Sequence, residues 1–331
     1  MTVFVTGGSG LIGSYLIPAL VAQGHIVKAL YRGRIPAVEG GDKVLWLEGD
    51  ILDPSLLREA LQGVQYVFHC AGLVSYAPQD EELLKQVNVE GTANIVDACL
   101  EVGNIKLCHV SSIAAIGRSK TASVLSEKNK WDQAEEHSAY ASSKYFGELE
   151  VWRGVAEGLK AVIVNPSVVL GPADWNRSST RLLKYVFDEK PFYTGGSANF
   201  VDVRDVVEAM LRLTFSDISA ERFILNAEQM EYKIFFEQVA HCLGKKAPSH
   251  KVIPAFAEVI WRLEHALAVV TGRRPLITKD TARLAGKSHL FSNEKVKQAI
   301  NIEFRPLGET IAWCCSRLLA AGKRSETAEA L

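Results

Sequence analysis

The sequence predicts a doubly wound α/β fold, a parallel sheet with helices on both faces, from three observations. An apolar, β-branched run from Val3 to Thr6 leads directly into a glycine triplet at Gly7, Gly10 and Gly13. Short apolar segments and longer helical ones then alternate through the first half of the chain. Most of the apolar segments end on small or polar residues, at the strand ends where open α/β sheets bind ligands.

Taken in order, Val3–Thr6 is a buried strand and Gly7 allows the tight turn out of it. Gly10 lets the backbone approach a pyrophosphate, and Gly13 permits close packing of helix on strand. The run Leu11 to Gln23 has the spacing of a helix on a sheet. Its first N–H groups, including those of Leu11, Ile12 and Gly13, face phosphates with positive dipole character. A glycine triplet alone is as often a plain turn. This one sits between the first strand and a helix, with a second strand, Ile26 to Tyr31, at the right distance, and is read as dinucleotide-binding.

Val44 to Leu47 is a strand closing at Glu48-Gly49-Asp50, and Pro54 to Leu61 is a short helix. Val64 to Cys70 is a strand ending at Ala71-Gly72, followed by a long helix from Glu81 to Glu101. Lys106 to Ser111 is a strand, Ala139 to Ala156 a helix, and Lys160 to Val164 a strand ending at Asn165-Pro166. After the break at Gly171-Pro172 the pattern is less regular. Asn199 to Val203 is a short strand, Asp205 to Phe215 a helix, and Phe223 to Asn226 a late strand of the main sheet. Helices are expected over Ile234–Cys242 and Ala255–Val270, and a frayed tail after Lys323. Residues 1–170 therefore form a dinucleotide-binding domain to which 199–229 return. Residues 171–331 supply a smaller, mostly helical, interleaved substrate lobe.

The net charge of −1 and the 48% hydrophobic content describe an ordinary globular chain without the basic excess that nucleic acid demands. The first strand begins at once, which leaves no room for a signal peptide, and no apolar run reaches membrane-spanning length. The nearest run, Val252 to Val270, carries Glu258, Arg262, Glu264 and His265 and reads as an amphipathic helix, for packing or as a lid rather than for a membrane. The six cysteines show neither a C-x-x-C pair nor zinc-ligand spacing. They read as buried free thiols, no metal site is expected, and the location is expected to be cytoplasmic.

Two further sites carry chemistry. Tyr140 and Lys144 lie at i and i+4 of one helix, so phenol and ammonium share a face. A cation there favours phenolate and makes tyrosine useful near neutral pH, although an isolated Tyr/Lys pair is usually a surface feature. Ser111-Ser112 ends an apolar strand, where a hydroxyl either caps a turn or holds a substrate oxygen. Aromatic side chains at Tyr76, Trp131, Trp175, Phe192 and Tyr193 either line an apolar pocket or simply pack.

With these segments in order, the chain resembles the extended short-chain dehydrogenase/reductases of the epimerase/dehydratase superfamily, over essentially its whole length. The matching stretches are Thr6–Gly13, Gly49-Asp50-Ile51, His69–Gly72, Asn88–Thr92, Val110–Ser112, Tyr140–Lys144, Asn165–Ser167 and Phe200–Asp205. The resemblance implies a Rossmann-type sheet. It implies that Ser112 polarises a carbonyl, Tyr140 is the general acid/base, and Lys144 binds the nicotinamide ribose while lowering the tyrosine pKa. Asn88 corresponds to the family's central-helix asparagine. Asp50 and Ile51 flank the adenine, Ala71 and Gly72 the pyrophosphate and ribose, and Pro166 and Ser167 the nicotinamide.

The second strand ends in Leu30-Tyr31-Arg32-Gly33-Arg34, without the carboxylate that binds an NAD ribose. Arg32 is suited to a 2′-phosphate, which favours NADP(H) over NAD(H). Tyr31-Arg32, with the looser runs Gly272–Thr278 and Ser292–Val296, resembles the dihydroflavonol-4-reductase and 3β-hydroxysteroid dehydrogenase branch. The expectation is an NADP(H)-dependent oxidoreductase interconverting a small-molecule carbonyl and alcohol by hydride transfer, with tyrosine as proton donor. The alternatives are an NAD-dependent nucleotide-sugar epimerase or dehydratase, for which Arg177 and Arg181 are candidate contacts, and a cofactor-sensing binding protein. The resemblance also implies a homodimer through the helices carrying Asn88 and Tyr140, unless the charged face of the former is solvated.

Overall fold

The computed structural model describes residues 1–118, 123–174, 179–252 and 289–329, with 321–329 described by backbone only. Trp175, Arg177, the Ala255–Val270 helix and the Gly272–Thr278 run lie outside the described residues. The first elements are β1 (Thr2–Thr6), α1 (Leu11–Ala22), β2 (Ile26–Tyr31), β3 (Leu45–Glu48), α2 (Pro54–Ala60) and β4 (Tyr66–His69). Pro54 opens α2 with its φ preset, and Asp53 caps it by accepting from Ser55 N and Leu56 N at 3.0 and 3.1 Å.

The single helix expected over Glu81–Glu101 is three pieces: α3 (Glu81–Lys85), a π turn (Gln86–Glu90) and α4 (Gly91–Val102). Such bulges cluster at functional sites, and this one contains the buried Asn88. Next come β5 (Lys106–Val110), β6 (Val124–Leu125), α5 (Ala139–Ala156), β7 (Lys160–Pro166), β8 (Val168–Leu170), α6 (Thr180–Phe187), β9 (Phe192–Thr194) and β10 (Ser197–Asp202). The chain continues through α7 (Val203–Thr214), β11 (Glu221–Leu225), β12 (Glu228–Glu231), α8 (Tyr232–Leu243), β13 (His250–Val252), α9 (Glu294–Ile300) and α10 (Leu307–Glu329). The last helix runs through the stretch after Lys323 that the sequence reading left frayed.

Seven strands form one sheet in the order β11-β7-β5-β4-β1-β2-β3, every pair parallel. All carboxyl ends therefore share one edge. Helices α2, α4 and α5 pack together, while α1 packs with α7, and β7 and β5 contact α7. Phe4, Leu57, Val67, Ile95, Leu107, Val151 and Ile163 fill the core against the first helix group.

The chain divides into two compact units. The first comprises Met1–Ser167, Val203–Leu225 and Ser292–Glu303 and holds the large sheet. The second comprises the described parts of Val168–Asp202, Asn226–Phe291 and Phe304–Leu331. These bounds differ from the sequence reading in four places, two of them short shifts that move residues 168–170 and 226–229 to the second unit. Residues 199–202 belong to the second unit, because β10 pairs with β8 and β12 rather than with the main sheet. Residues 292–303 return to the first unit, where Lys295 bonds Glu221 and Arg222 of β11. Among its described residues the second unit has a three-stranded and a two-stranded sheet beside α6, α8 and α10. Its own core stacks Phe200 on Phe235 at 4.6 Å, with Leu183, Val239 and Ile311 around them. Among the described residues no helix is long and apolar enough to cross a membrane.

Candidate active site

The predicted site residues lie in the first unit, at strand ends and on α1, the π turn and α5. Gly7 takes φ +71° at the end of β1, and Gly10 N donates to Gly7 O at 3.0 Å. A Cβ on Gly13 would stand 2.3 Å from Gly7 O, and one on Gly7 would stand 2.5 Å from Ala71 N, so no larger residue fits this turn. Gly10 caps α1 without a side-chain hydrogen bond, and the first turn from Leu11 and Ile12 onward carries no acidic group. The helix end therefore keeps its N–H groups and positive character for an anion.

A buried chain of hydrogen bonds ties this turn to β4. Ala71 N donates to Thr6 Oγ1 at 3.2 Å, and Thr6 Oγ1 meets His69 Nδ1 at 2.7 Å. His69 Nε2 meets Thr92 Oγ1 at 3.1 Å, and Thr92 donates to Asn88 O at 2.8 Å. The donor directions assign the proton to Nε2, and burial, aided by Lys144, lowers His69 to about 3, so the ring is neutral.

Ser138 caps α5 by accepting from Ala141 N at 3.1 Å, which starts the helix so that Tyr140, Lys144 and Glu148 follow one buried face. Tyr76 meets the Tyr140 ring edge-on at 5.5 Å. Lys144 Nζ donates to Val110 O at 2.8 Å, and burial lowers its ammonium to about 8 against the pull of Glu148 and Cys70. Burial raises Tyr140 above its ordinary value, and a hydrogen bond with Ser112 opposes this. The expectation that Lys144 lowers the tyrosine is thereby corrected. The ammonium bonds a main-chain carbonyl, and Ser112 is the group that favours phenolate. Ser112 also caps the turn Ile113–Ala115, accepting from Ala114 N at 3.1 Å.

Asn88 clamps the backbone. Its Oδ1 accepts from Leu73 N at 2.7 Å, and its Nδ2 donates to Leu73 O and Ser143 Oγ, each at 2.9 Å. A Cβ on Gly72 would stand 3.2 Å from Asn88 Oδ1 and 3.5 Å from Lys144 Nζ, which places Gly72 beside both. At the end of β7, next to Pro166, the Ser167 hydroxyl is buried without a hydrogen-bond partner among the described residues.

Sequence reasoning missed two features. Arg32 pairs with Asp50 at 2.9 Å, so a carboxylate does stand beside the end of β2, delivered from beyond β3. Asp50 lies below its ordinary value, since bonds from Leu52 N, Arg32 and Ile51 N outweigh burial. The second feature is Glu148, which binds Asn165 Nδ2 and, at 3.3 Å, Arg222 Nη1. Its one signal was the i+4 step from Lys144. Of the aromatic candidates, Tyr76 lies at Tyr140, while Trp131 stacks on Tyr145 at 4.4 Å and on His137 at 3.7 Å. Phe192, Tyr193 and Arg181 belong to the second unit.

A dinucleotide fits these residues. The uncapped helix end suits a pyrophosphate, the cradle at Gly7 and Gly13 admits no side chain, and the Ser167 hydroxyl needs a partner. Residues 3–222 match the family described as NAD dependent epimerase/dehydratase. A Synechocystis sp. protein provisionally named dihydroflavonol 4-reductase is 30% identical over 318 residues, 93% of this chain and 92% of that one. Cinnamoyl-CoA reductase 1 of Oryza sativa subsp. japonica is 26% identical, covering 93% of this chain and 88% of its own. The crystal structure of gox2253 superposes with a TM-score of 0.82 at 29% identity, over 97% of this chain and 98% of that one. The chain belongs to the NAD-dependent epimerase/dehydratase family and is an NAD(P)-dependent enzyme of the extended short-chain dehydrogenase/reductase type.

Proposed function

We propose that the protein is an NADP(H)-dependent reductase interconverting a ketone or aldehyde and its alcohol, with the first unit holding the cofactor and the second the substrate. The observation that carries the reading is the buried Tyr140, hydrogen-bonded to Ser112 on a helix face shared with Lys144. Gly7, Gly10, Leu11, Ile12 and Gly13 would hold the pyrophosphate, and Asp50 and Ile51 would flank the adenine. Ala71, Gly72 and Asn88 would line the ribose side, and Lys144, Pro166 and Ser167 the nicotinamide. When bound, the nicotinamide exchanges a hydride with the substrate carbon. Ser112 directs its hydroxyl at the carbonyl oxygen, and Tyr140 passes that oxygen a proton. Because burial keeps the phenol protonated at neutral pH, Tyr140 suits the donor role of the reductive direction. The Ser112 hydrogen bond favours the phenolate left behind, and Lys144, charged below about pH 8, would hold the nicotinamide ribose.

The two relatives named as reductases favour this reading over the epimerase/dehydratase one. Asp50 beside Arg32 is the observation that favours the alternative, since a carboxylate there can bind an NAD ribose. Exposed Leu83 on α3 and Phe146 and Leu149 on α5 support a homodimer through these helices. The six free thiols accord with a cytoplasmic location. Titration calorimetry of NADPH and NADH on the wild type and Arg32→Ala tests the cofactor assignment. Tight NADPH binding that weakens about tenfold or more in the variant, with NADH weak in both, is expected. Tight NAD(H) binding indifferent to Arg32 would transfer the assignment to the epimerase/dehydratase reading.

A further inference from the structure

The face of α5 that carries Tyr140 and Lys144 continues one turn further to Glu148, a carboxylate 1% exposed. Nothing in the proposed chemistry uses it, yet two groups from two other strands converge there. Asn165 of β7 donates to Glu148 Oε1, and the same Nδ2 donates to Ser112 O at 2.9 Å. Arg222 of β11 donates to Glu148 Oε2 at 3.3 Å and is itself held by Glu127 O and Asn129 O at 2.5 and 3.2 Å. Burial raises Glu148, and Arg222 and Asn165 counter it by favouring the charged form. The charged and titratable groups acting on Lys144 are Glu148 on its own helix, His69 and Cys70 from β4, and His109 from β5. Both histidines are buried and neutral and burial pushes the Cys70 thiol up, whereas Glu148 is the carboxylate of the set and is paired with the Arg222 guanidinium.

We propose that Glu148 is the positioning residue of this site, its carboxylate keeping Lys144 protonated while its Asn165 bond fixes the backbone of Ser112. This rests on the reductase reading only for its effect on turnover. Lys144 sits in a buried pocket that disfavours an ammonium, and a neighbouring anion is what returns the charge. Asn165 is the shared element. One amide group bonds both the carboxylate and the carbonyl of the serine that faces the substrate oxygen, so charge and geometry are set together.

The test is direct titration of Lys144 by carbon NMR on full-length protein with ε-13C-lysine, the signal assigned by its loss in Lys144→Arg. Wild type is expected to titrate near pH 8 and Glu148→Gln about one pH unit lower. The alkaline limb of kcat/KM for carbonyl reduction shifts down with it. Circular dichroism confirms folding. Should the single variant fail to fold, Glu148→Gln/Arg222→Gln no longer strands the guanidinium and is expected to shift Lys144 downward by a smaller amount. An unmoved Lys144 midpoint in a folded variant overturns the proposal. A downward shift in a chain that reduces no carbonyl upholds the coupling and removes the reductase reading, so the two failures stay separate.

Discussion

Two arginine–carboxylate pairs flank the same sheet and do different work. Arg32 and Asp50, beyond β2 and β3, meet at 2.9 Å with side chains 69% and 37% exposed. Arg222 of β11 and Glu148 of α5 meet at 3.3 Å but are 18% and 1% exposed. The shorter contact is the weaker one. Water screens the first pair, whose net worth is of order 0–1 kcal/mol. The second pair stands in a low dielectric, so removing either partner strands a charge that cannot be solvated. Exposure leaves Arg32 free to exchange its partner for a ligand phosphate. Burial commits Arg222 to the fold and, through Glu148, to the site.

The largest effect should come from breaking the buried pair. Arg222→Gln is expected to cost about 3–5 kcal/mol in urea unfolding, and adding Glu148→Gln should recover most of it, because the orphaned charge is then gone. A single variant within about 0.5 kcal/mol of wild type would erase the contrast. The smallest stability effect belongs to Asp50→Asn, expected to change unfolding by less than about 1 kcal/mol. Its effect should appear instead in ligand binding. Arg32 released from its partner is expected to shift the NADPH-over-NADH preference upward by about three- to tenfold in competitive titration. A loss of several kcal/mol of stability there would show that the exposed pair is structural after all.

These two pairs also mark where the sequence stopped being legible. The strand, glycine turn and helix from Val3 to Gly13 are local, and the sequence reading and the structure coincide there to within a residue or two. Tyr140 and Lys144 are one helical step apart, so their shared face followed from spacing alone. Arg32 and Asp50 are joined by the β2–β3 register, which pairs Tyr31 with Glu48, and strand hydrophobicity does not reveal register. Arg222 is further still, on a strand that enters the sheet last in sequence. The π turn at Gln86–Glu90 was hidden because one added residue per turn barely disturbs the apolar spacing of a long helix. Residues 199–202 of the short apolar strand Ser197–Asp202 were placed in the wrong unit, because its composition does not say which strand it joins. The direction of the Tyr140 shift was missed for a related reason. Burial, which raises it, is a property of the packed site and not of the i+4 pair.

The central claim is that Tyr140 is the proton donor of a carbonyl reductase, and single-turnover reduction by Tyr140→Phe tests it most directly. The experiment follows loss of NADPH absorbance against a panel of ketones and aldehydes, with cofactor affinity measured in parallel. The phenylalanine keeps the ring contact with Tyr76 and removes only the hydroxyl. Turnover about 100-fold or more below wild type, with NADPH affinity unchanged, is the predicted result. Wild-type turnover in the variant on a substrate the wild type reduces would contradict the account.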